Sequence, residues 1–391
     1  MATRTAQLRS RPQHVPSDVG AFLRHIDYFL LAVVGGSIAY GLWVLSAVTR
    51  DDVPGDPDYY VIRQGIYVAA GSVALLVVTT INPEVWRRFR IALFVVTVAS
   101  IVAVFVVGDE VRGSKRWIEL GFFQLQPSEL GKVLVILVVA GFLADRAKRI
   151  GEARTVLAAV GLVAVPTALV FEQPDFGTAL VFGAGLVASL FLAGTRWLHH
   201  GTLVLAGVLA VMSVLWFLPS AGADVLEPYQ RDRLVGFLHP DADPAGTTYN
   251  INQSITAVGA GGLDGRGVFG ATQTNLNYLP EHHTDFIFSS LAEQRGFLGA
   301  AFLLLLYALV VWRGVKIVAI APSLYTAIVA GAIVFAFLFQ VFVNVGMTIG
   351  IAPITGIPLP LVSAGGSSMI TTMIMIGLLE AIHVRGRLAG N

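Results

Sequence analysis

The sequence of 391 residues contains no cysteine, which excludes disulfide bonds, thiolate catalysis and cysteine-ligated zinc sites. Charge is also scarce, since 13% of the residues are charged, whereas soluble domains carry roughly 25%. The sequence lacks a phosphate-binding P-loop, a dinucleotide-binding glycine motif and a Gly-x-Ser-x-Gly nucleophile elbow. The formal net charge is +1 and the basic residues are spread among the loops, so no nucleic-acid partner is indicated.

What the sequence has in abundance is apolar residues, at 55% of the chain with a mean hydropathy of +0.73. Apolar runs of about 17–25 residues are long enough to cross a bilayer as helices. The first run is too long for the apolar core of a cleaved signal peptide, so it predicts a retained span. Ten runs predict ten transmembrane helices, near 27–48, 61–81, 89–107, 129–144, 154–172, 176–194, 199–218, 286–312, 322–346 and 362–383.

We therefore predict an all-α polytopic membrane protein. Alternate loops concentrate arginine and lysine, which is typical of the cytoplasmic side, so both termini are predicted to be cytoplasmic. The predicted organisation is a cytoplasmic tail over 1–26, a single ten-helix membrane domain over 27–384 and a second tail over 385–391. One long extracytoplasmic loop, 219–285, connects helices 7 and 8.

The end of that loop, Leu279–Phe288, concentrates polar groups where the chain re-enters the membrane. It holds two acids and two histidines: Glu281, His282, His283 and Asp285. A carboxylate at the lipid boundary is costly to keep charged, which favours a functional role for Asp285. The alternative is structural, because Thr284 or Asp285 could instead cap the following helix.

A second polar segment begins the fourth predicted helix. Gln126 fits the cap and Pro127 the first helical position, while Glu129 fits the third, where a carboxylate can reach back to the cap. Lys132 lies three residues further on the same helix face, so an ion pair with Glu129 is the economical explanation for a cation in the apolar layer. Such a pair is either a structural cross-link or part of a site.

Gln173-Pro174-Asp175 repeats the same Gln-Pro-acid pattern at the start of the sixth predicted helix. Two such helix starts on one side of the membrane predict a shared polar cavity at the outer face. The glycine-rich stretch Gly259–Gly267 could bring backbone N–H groups close to an anion or a sugar, but the same composition suits a mobile loop.

The segment Asn344–Ser368 is apolar, yet from Gly350 onward it holds three prolines and four glycines. This composition predicts a broken element before helix 10 instead of one continuous helix. Irregular backbone at membrane depth occurs where it is buried in protein or lines a cavity. Arg63, at the outer end of the second span, either points to that cavity or extends toward the membrane surface.

Together these groups predict carboxylate chemistry at a membrane surface, with Asp285 as general base and Glu281, His283 and Glu129 as helpers. Basic side chains could clamp the phosphates of a lipid-linked substrate. The candidate clamps are Arg63, Arg116, Lys132, Arg231 and Arg233. Adjacent histidines do not share a helix face, which argues against a two-histidine metal site. No cofactor is evident, and a need for a divalent cation is not readable from the sequence.

The motifs resemble the SEDS family of bacterial shape, elongation, division and sporulation proteins over essentially the whole chain. The matching stretches are Gln126–Glu129 with Lys132, Gln173–Asp175 with Gly177–Leu180, Leu279–Glu281 with His283–Phe288, and Asn344–Ser368. Within the family the sequence is more similar to the RodA branch than to the FtsW branch, because Asp243-Pro244, Tyr249-Asn250 and Leu276–Glu281 resemble the elongation-type loop.

The resemblance implies a ten-helix peptidoglycan glycosyltransferase that polymerises lipid II, an undecaprenyl-pyrophosphate-linked disaccharide, during cell elongation. The site would lie on the outer face of the bacterial cytoplasmic membrane. Asp285 would be the base for the acceptor sugar hydroxyl, and Glu129 with Lys132 would be a functional pair. The other positions expected to bind substrate are Arg63, Arg116, Trp117, Gln126, Ser128, Gln173, Asp175, Glu281, His283, Thr284 and Ser367.

The resemblance also implies a partner, a single-span class B penicillin-binding protein whose transpeptidase cross-links the glycan and which activates the polymerase. Membrane lipid is the expected surrounding. Two alternatives stay open on the sequence. A lipid II flippase would need charged residues through the cytoplasmic half of the helices, whereas a non-catalytic scaffold predicts that Asp285→Ala preserves function.

Overall fold

The computed structural model describes residues 19–111, 114–121, 123–213, 217, 237 and 248–390, and this part of the chain is mainly helical. The helices are α1 Val19–Arg24, α2 Tyr28–Val48, α3 Tyr59–Thr80, α4 Pro83–Arg88, α5 Arg90–Val107, α6 Pro127–Asp145, α7 Ala153–Glu172, α8 Phe176–Ala193, α9 Trp197–Met212, α10 Tyr249–Gly261, α11 Gly267–Gly270, α12 Thr272–Asn275, α13 Ile287–Ala319, α14 Leu324–Thr348 and α15 Gly366–Gly390. A small antiparallel sheet, ordered β1-β2-β3, lies before α6 and consists of β1 Asp109–Val111, β2 Ser114–Leu120 and β3 Phe123–Leu125.

Nine helices within the described residues are long and apolar enough to cross a membrane, namely α2, α3, α5, α6, α7, α8, α13, α14 and α15. They correspond to nine of the ten predicted spans, so the prediction of an all-α multi-pass membrane protein is confirmed. The remaining predicted span, 199–218, corresponds to α9, which has 16 residues. The end of that span lies outside the described residues, and the count of ten stays a prediction. The cytoplasmic placement of both termini and the domain boundaries also stay predictions.

The middle of the helical bundle is formed by α6, α14 and α15. Within their most apolar windows 78% of the residues of α6, 67% of α14 and 78% of α15 are buried, against 17% for α3 and α5. The exposed apolar side chains of α3 and α5 are those expected to face lipid, since transmembrane helices present apolar residues to the hydrocarbon layer. The polar residues of α6 and α14 are therefore enclosed by protein.

The glycine-rich stretch Gly259–Gly267 packs against a kink in α13, so its glycines serve close packing and not loop mobility. Gly296 interrupts α13 with φ of 66°. The N–H groups after the kink donate to carbonyls of the glycine stretch, from Phe297 to Gly262 at 2.9 Å and from Leu298 to Leu263 at 3.2 Å. A Cβ on Gly296 would lie 2.4 Å from Leu263 O, so glycine is required for this close approach. These contacts are structural.

The broken element predicted before the tenth span, 362–383, is present. Helix α14 ends at Thr348, α15 begins at Gly366, and no regular helix or strand occupies residues 349–365 between them. The element packs on the start of α8, where a Cβ built on Gly177 would lie 2.7 Å from both Thr355 O and Ile357 Cγ1. The glycine of the Gln-Pro-Asp-Phe-Gly sequence thus permits close packing of a helix start against irregular backbone.

We predict that Gly177→Ala lowers the free energy of unfolding by about 1–3 kcal/mol, because the added methyl overpacks this contact. The matched control is Gly183→Ala in the same helix, where a Cβ meets nothing within 4 Å. That change is expected to be neutral or stabilising by up to ~1 kcal/mol, since alanine favours helix. Thermal unfolding of both variants in detergent tests this, and equal midpoints would contradict it.

Candidate active site

The segment that carries Asp285 is a compact turn over residues 281–286. Glu281 adopts φ of 55°, and its carbonyl accepts hydrogen bonds from Thr284 N at 3.1 Å and Phe286 N at 3.2 Å. Thr284 Oγ1 also donates to Glu281 Oε2 at 3.0 Å. Phe286 occupies the N-cap position of α13, one residue beyond the position that the capping alternative assigned to Asp285. The Asp285 side chain is partly buried.

Three successive carbonyl groups of this turn are bound by the C-terminal third of the chain. The donors and acceptors are Ala364 N to His283 O at 2.9 Å, Ser363 Oγ to Thr284 O at 2.6 Å and Asn344 Nδ2 to Asp285 O at 2.8 Å. The broken element is itself tied to α3, because Gln64 binds Ser363 O and Gly365 N, each at 3.0 Å. The backbone that presents Asp285 is therefore fixed from two sides.

Glu129 and Lys132 form the ion pair that the sequence predicts. Lys132 Nζ lies 2.6 Å from Glu129 Oε1, and the side chains are 2% and 5% exposed, respectively. Lys132 also donates to Gln340 Oε1 at 3.0 Å. Gln340 directs that oxygen at the ammonium because its own Nε2 donates to Ala336 O. At the start of the helix Gln126 is the N-cap, but the Glu129 carboxylate pairs with Lys132 and forms no capping box.

One helix holds both halves of the predicted site. Gln340 and Asn344 lie four residues apart on α14 and thus on the same face. Gln340 binds Lys132, while Asn344 binds the Asp285 carbonyl. Four residues of α-helix rise about 6 Å. The ammonium of Lys132 and the backbone of Asp285 are therefore attached to successive turns of α14.

The two Gln-Pro-acid helix starts contact each other directly. Asp175 Oδ2 accepts from Gln126 Nε2 at 2.9 Å and from Ser128 Oγ at 3.0 Å. The other oxygen, Oδ1, caps α8 by accepting from Thr178 N at 3.1 Å. Asp175 is 4% exposed. Its carboxylate serves both the capping role and the polar cluster, whereas Gln173, which donates to Ile101 O at 2.7 Å, binds a neighbouring helix.

Other predicted residues have structural partners. Arg116 donates through Nε to Gln173 O at 3.0 Å and through Nη2 to Pro174 O, and its guanidinium lies 5.9 Å from the centre of the Trp117 ring. Arg116 therefore fixes the turn before α8 with two of its donor groups. Ser367 Oγ donates to Gln124 O at 2.9 Å and accepts from Gln126 N at 2.9 Å, which joins the starts of α6 and α15.

Arg63 donates to the hydroxyl of Tyr59, four residues earlier on the same helix, and its guanidinium lies 5.1 Å from the centre of that ring. Arg231 and Arg233, the two remaining candidate clamps, lie outside the described residues. Arg63 stays a candidate clamp, and Lys132 is the candidate that α14 connects to the Asp285 turn.

The histidines have an acidic partner that the sequence argument missed. His282 Nε2 lies 3.0 and 3.1 Å from the two carboxylate oxygens of Asp52, and His283 Nδ1 lies 3.6 Å from Asp52 Oδ2. The helix-face argument does not apply, because both histidines lie in a turn. Asp52 follows the end of α2, and its approach to His282 spans 230 positions of sequence. Gln340 was missed for the same reason.

Comparison with known proteins matches the chain to a family model described as cell cycle protein, covering FtsW, RodA and SpoVE, over residues 26–388. The chain is 36% identical over 364 residues to the peptidoglycan glycosyltransferase MrdB of Escherichia coli K12, covering 93% of this chain and 95% of MrdB.

Two solved structures share the fold. One is described as structural coordination of polymerization and crosslinking by a peptidoglycan synthase complex, with a TM-score of 0.78, 29% identity and coverage of 92% of this chain and 98% of that one. The other is the crystal structure of the rod shape determining protein RodA of Thermus thermophilus, with a TM-score of 0.68, 27% identity and coverage of 92% and 96%. The chain belongs to the FtsW, RodA and SpoVE family, the SEDS family that its motifs resemble.

Proposed function

We propose that the chain is a peptidoglycan glycosyltransferase that polymerises lipid II into glycan strands during cell elongation. The Escherichia coli relative carries the name of that activity, and the Thermus relative is named a rod shape determining protein. The observation on this chain that carries the proposal is the attachment of the Asp285 turn and of Lys132 to successive turns of α14. That attachment supports a base and a cation acting on one substrate.

In the proposed reaction the Asp285 carboxylate takes the proton from the 4-hydroxyl of the acceptor sugar. The hydroxyl oxygen bonds to the anomeric carbon of the donor, the bond from that carbon to the diphosphate breaks, and undecaprenyl diphosphate leaves with the electron pair. A positioned general base contributes roughly 10²–10⁴-fold to such a rate. The hydrogen bonds that hold the backbone of the Asp285 turn support this role, because a base held in position is more effective than a mobile one.

Lys132 is the proposed contact for the departing diphosphate. Within the described part of the chain its ammonium donates to Glu129 and Gln340, which use two of its three N–H bonds. The third can donate to a phosphate oxygen while the other two keep the group in place. A fixed cation aimed at developing negative charge lowers the barrier without rearrangement during the reaction. The cluster of Gln126, Ser128 and Asp175 is a proposed contact for sugar hydroxyls.

The proposed location is the extracytoplasmic side of the bacterial cytoplasmic membrane. The distribution of basic residues among the loops supports that side for the Asp285 turn. A class B penicillin-binding protein is the proposed partner, and the likeness to a synthase complex that coordinates polymerization and crosslinking supports it. Lipid II supplies the lipid, the diphosphate and the sugar that the proposed site requires.

We predict that Asp285→Asn lowers the rate of glycan polymerisation by at least ~10²-fold, because the amide cannot accept the hydroxyl proton. The change leaves the Asp285 carbonyl and its bond to Asn344 in place. The measurement is the length of glycan made from lipid II by purified chain together with the penicillin-binding protein. Asp58→Asn is the matched control, since this exposed aspartate makes no side-chain capping bond at the start of α3.

This assay and a vesicle transport assay together distinguish the polymerase from the two alternatives. Unchanged polymerisation by a folded Asp285→Asn variant would support the scaffold and reject the base. Wild-type chain that moves labelled lipid II across vesicle membranes but never lengthens glycan would support the flippase and reject the polymerase.

A second prediction decides whether the Glu129–Lys132 pair is a structural cross-link or part of the site. Glu129→Gln or Lys132→Met alone leaves one buried charge unpaired, which typically costs 3–5 kcal/mol. The double variant removes both charges, so we expect most of the thermal stability to return. Polymerisation is expected to stay as low in the double variant as in Lys132→Met, because the diphosphate contact is still missing. Recovery of activity together with stability would show that the pair is structural.

A further inference from the structure

Asp52, His282 and His283 bring three metal-ligating groups together where the loop after α2 meets the turn over residues 281–286. One ligand atom from each residue lies within 4.8 Å of the other two. Asp52 reaches His282 Nε2 at 3.0 Å and His283 Nδ1 at 3.6 Å. A tetrahedral zinc site with bonds of about 2.0–2.1 Å separates its ligand atoms by about 3.3 Å. The two separations from Asp52, 3.0 and 3.6 Å, are close to this value, and the two imidazole nitrogens lie within 4.8 Å of each other.

The hydrogen bonds of His282 determine which ring nitrogen can bind a cation. His282 Nδ1 lies 3.1 Å from Leu279 O. A carbonyl oxygen only accepts, so Nδ1 carries the hydrogen and the neutral ring presents the lone pair of Nε2 to the Asp52 carboxylate. Two acceptors at 3.0 Å repel each other. A positive charge must lie between them, either a proton or a metal ion.

The contact to Leu279 is the kind that a metal-binding histidine makes. Metal-binding histidines almost always donate their other ring N–H to a carbonyl or a carboxylate, which fixes the tautomer and the ring orientation. His282 has this arrangement. The side chains of His282, His283 and Asp52 are 6%, 17% and 12% exposed. The cluster is thus shielded on most sides while a path from solvent remains.

We propose that His282 Nε2, His283 Nδ1 and the Asp52 carboxylate bind one divalent transition-metal cation of the zinc class. Two imidazoles and one carboxylate are a known zinc ligand set with an open fourth position. Mg²⁺ and Ca²⁺ favour sites built of oxygen ligands, so they fit this set less well. The ring of Tyr60 supports His283, with ring centres 4.4 Å apart.

The cation cross-links the loop after α2 to the turn that carries Asp285. His282 and His283 precede Asp285 by three and two residues, and the His283 carbonyl is already bound by Ala364 N. The metal would therefore hold the side-chain face of a turn whose backbone face is held by the broken element. Its effect on catalysis rests on the proposed function, but its binding does not.

The test uses the full chain purified in detergent, stripped with a chelator and then incubated with zinc chloride alone. After desalting, elemental analysis is expected to find about one zinc ion per wild-type chain. Asp52→Asn and His282→Ala are expected to lose at least nine-tenths of that zinc. His199→Ala, a partly buried histidine on α9 away from this cluster, is the matched control and is expected to keep it.

A second measurement, the thermal unfolding temperature with and without zinc, distinguishes loss of the zinc site from misfolding of a variant. Zinc is expected to raise the thermal unfolding temperature of wild type and His199→Ala, because a ligand that binds the folded state stabilises it. The conservative Asp52→Asn chain is expected to show no such rise. Wild type that binds no more zinc than Asp52→Asn, with no rise in its unfolding temperature, would overturn the proposal and assign the bridging charge to a proton on His282.

These outcomes are independent of the proposed polymerase. A chain that binds zinc through Asp52 and His282 but makes no glycan would keep the metal site and reject the polymerase. A chain that makes glycan while binding no zinc would reject the metal site alone.

Discussion

Backbone carbonyl groups that a fold shields from water must find donors within the protein, because an unpaired buried carbonyl is costly. The turn over residues 281–286 presents three such carbonyls in succession, and all three are bound by residues between Asn344 and Ala364. The donors lie on the end of α14 and on the irregular element that follows it. A turn and a broken helix, each costly alone, thus satisfy each other and fix the backbone of Asp285.

Asn344 explains why α14 is the reference for this arrangement. Its Nδ2 donates at 2.8 Å to Asp285 O and at 2.8 Å to Ile357 O, so one amide joins the helix, the turn and the broken element. One turn earlier, Gln340 holds Lys132. A displacement of α14 along its axis would move both groups together. The position of the Asp285 turn relative to the Lys132 ammonium is therefore set by the geometry of α14.

What the sequence could predict depended on local spacing. Apolar runs predicted the spans, and a separation of three residues predicted the Glu129–Lys132 pair. Each of these signals is contained within a single helix, so it can be read from nearby positions in the sequence. Partners across the chain left no such signal: Gln340 is 208 positions from Lys132, and Asp52 is 230 from His282. The glycine stretch shows a third limit, because its composition allowed either a mobile loop or close packing, and the kink at Gly296 that decides between them is a tertiary feature.

Hydrogen bonds made by the basic side chains distinguish among the candidate phosphate clamps, which the sequence alone could not rank. Arg116 uses Nε and Nη2 to hold the carbonyls before α8, so binding a phosphate with those groups would release that turn. Lys132 is held by Glu129 and Gln340 at two donors, and its third can point elsewhere without loss of either. A buried ion pair rarely stabilises a fold more than apolar residues of similar size. The two bonds to Glu129 and Gln340 instead hold the ammonium in one position, as the proposed diphosphate contact requires.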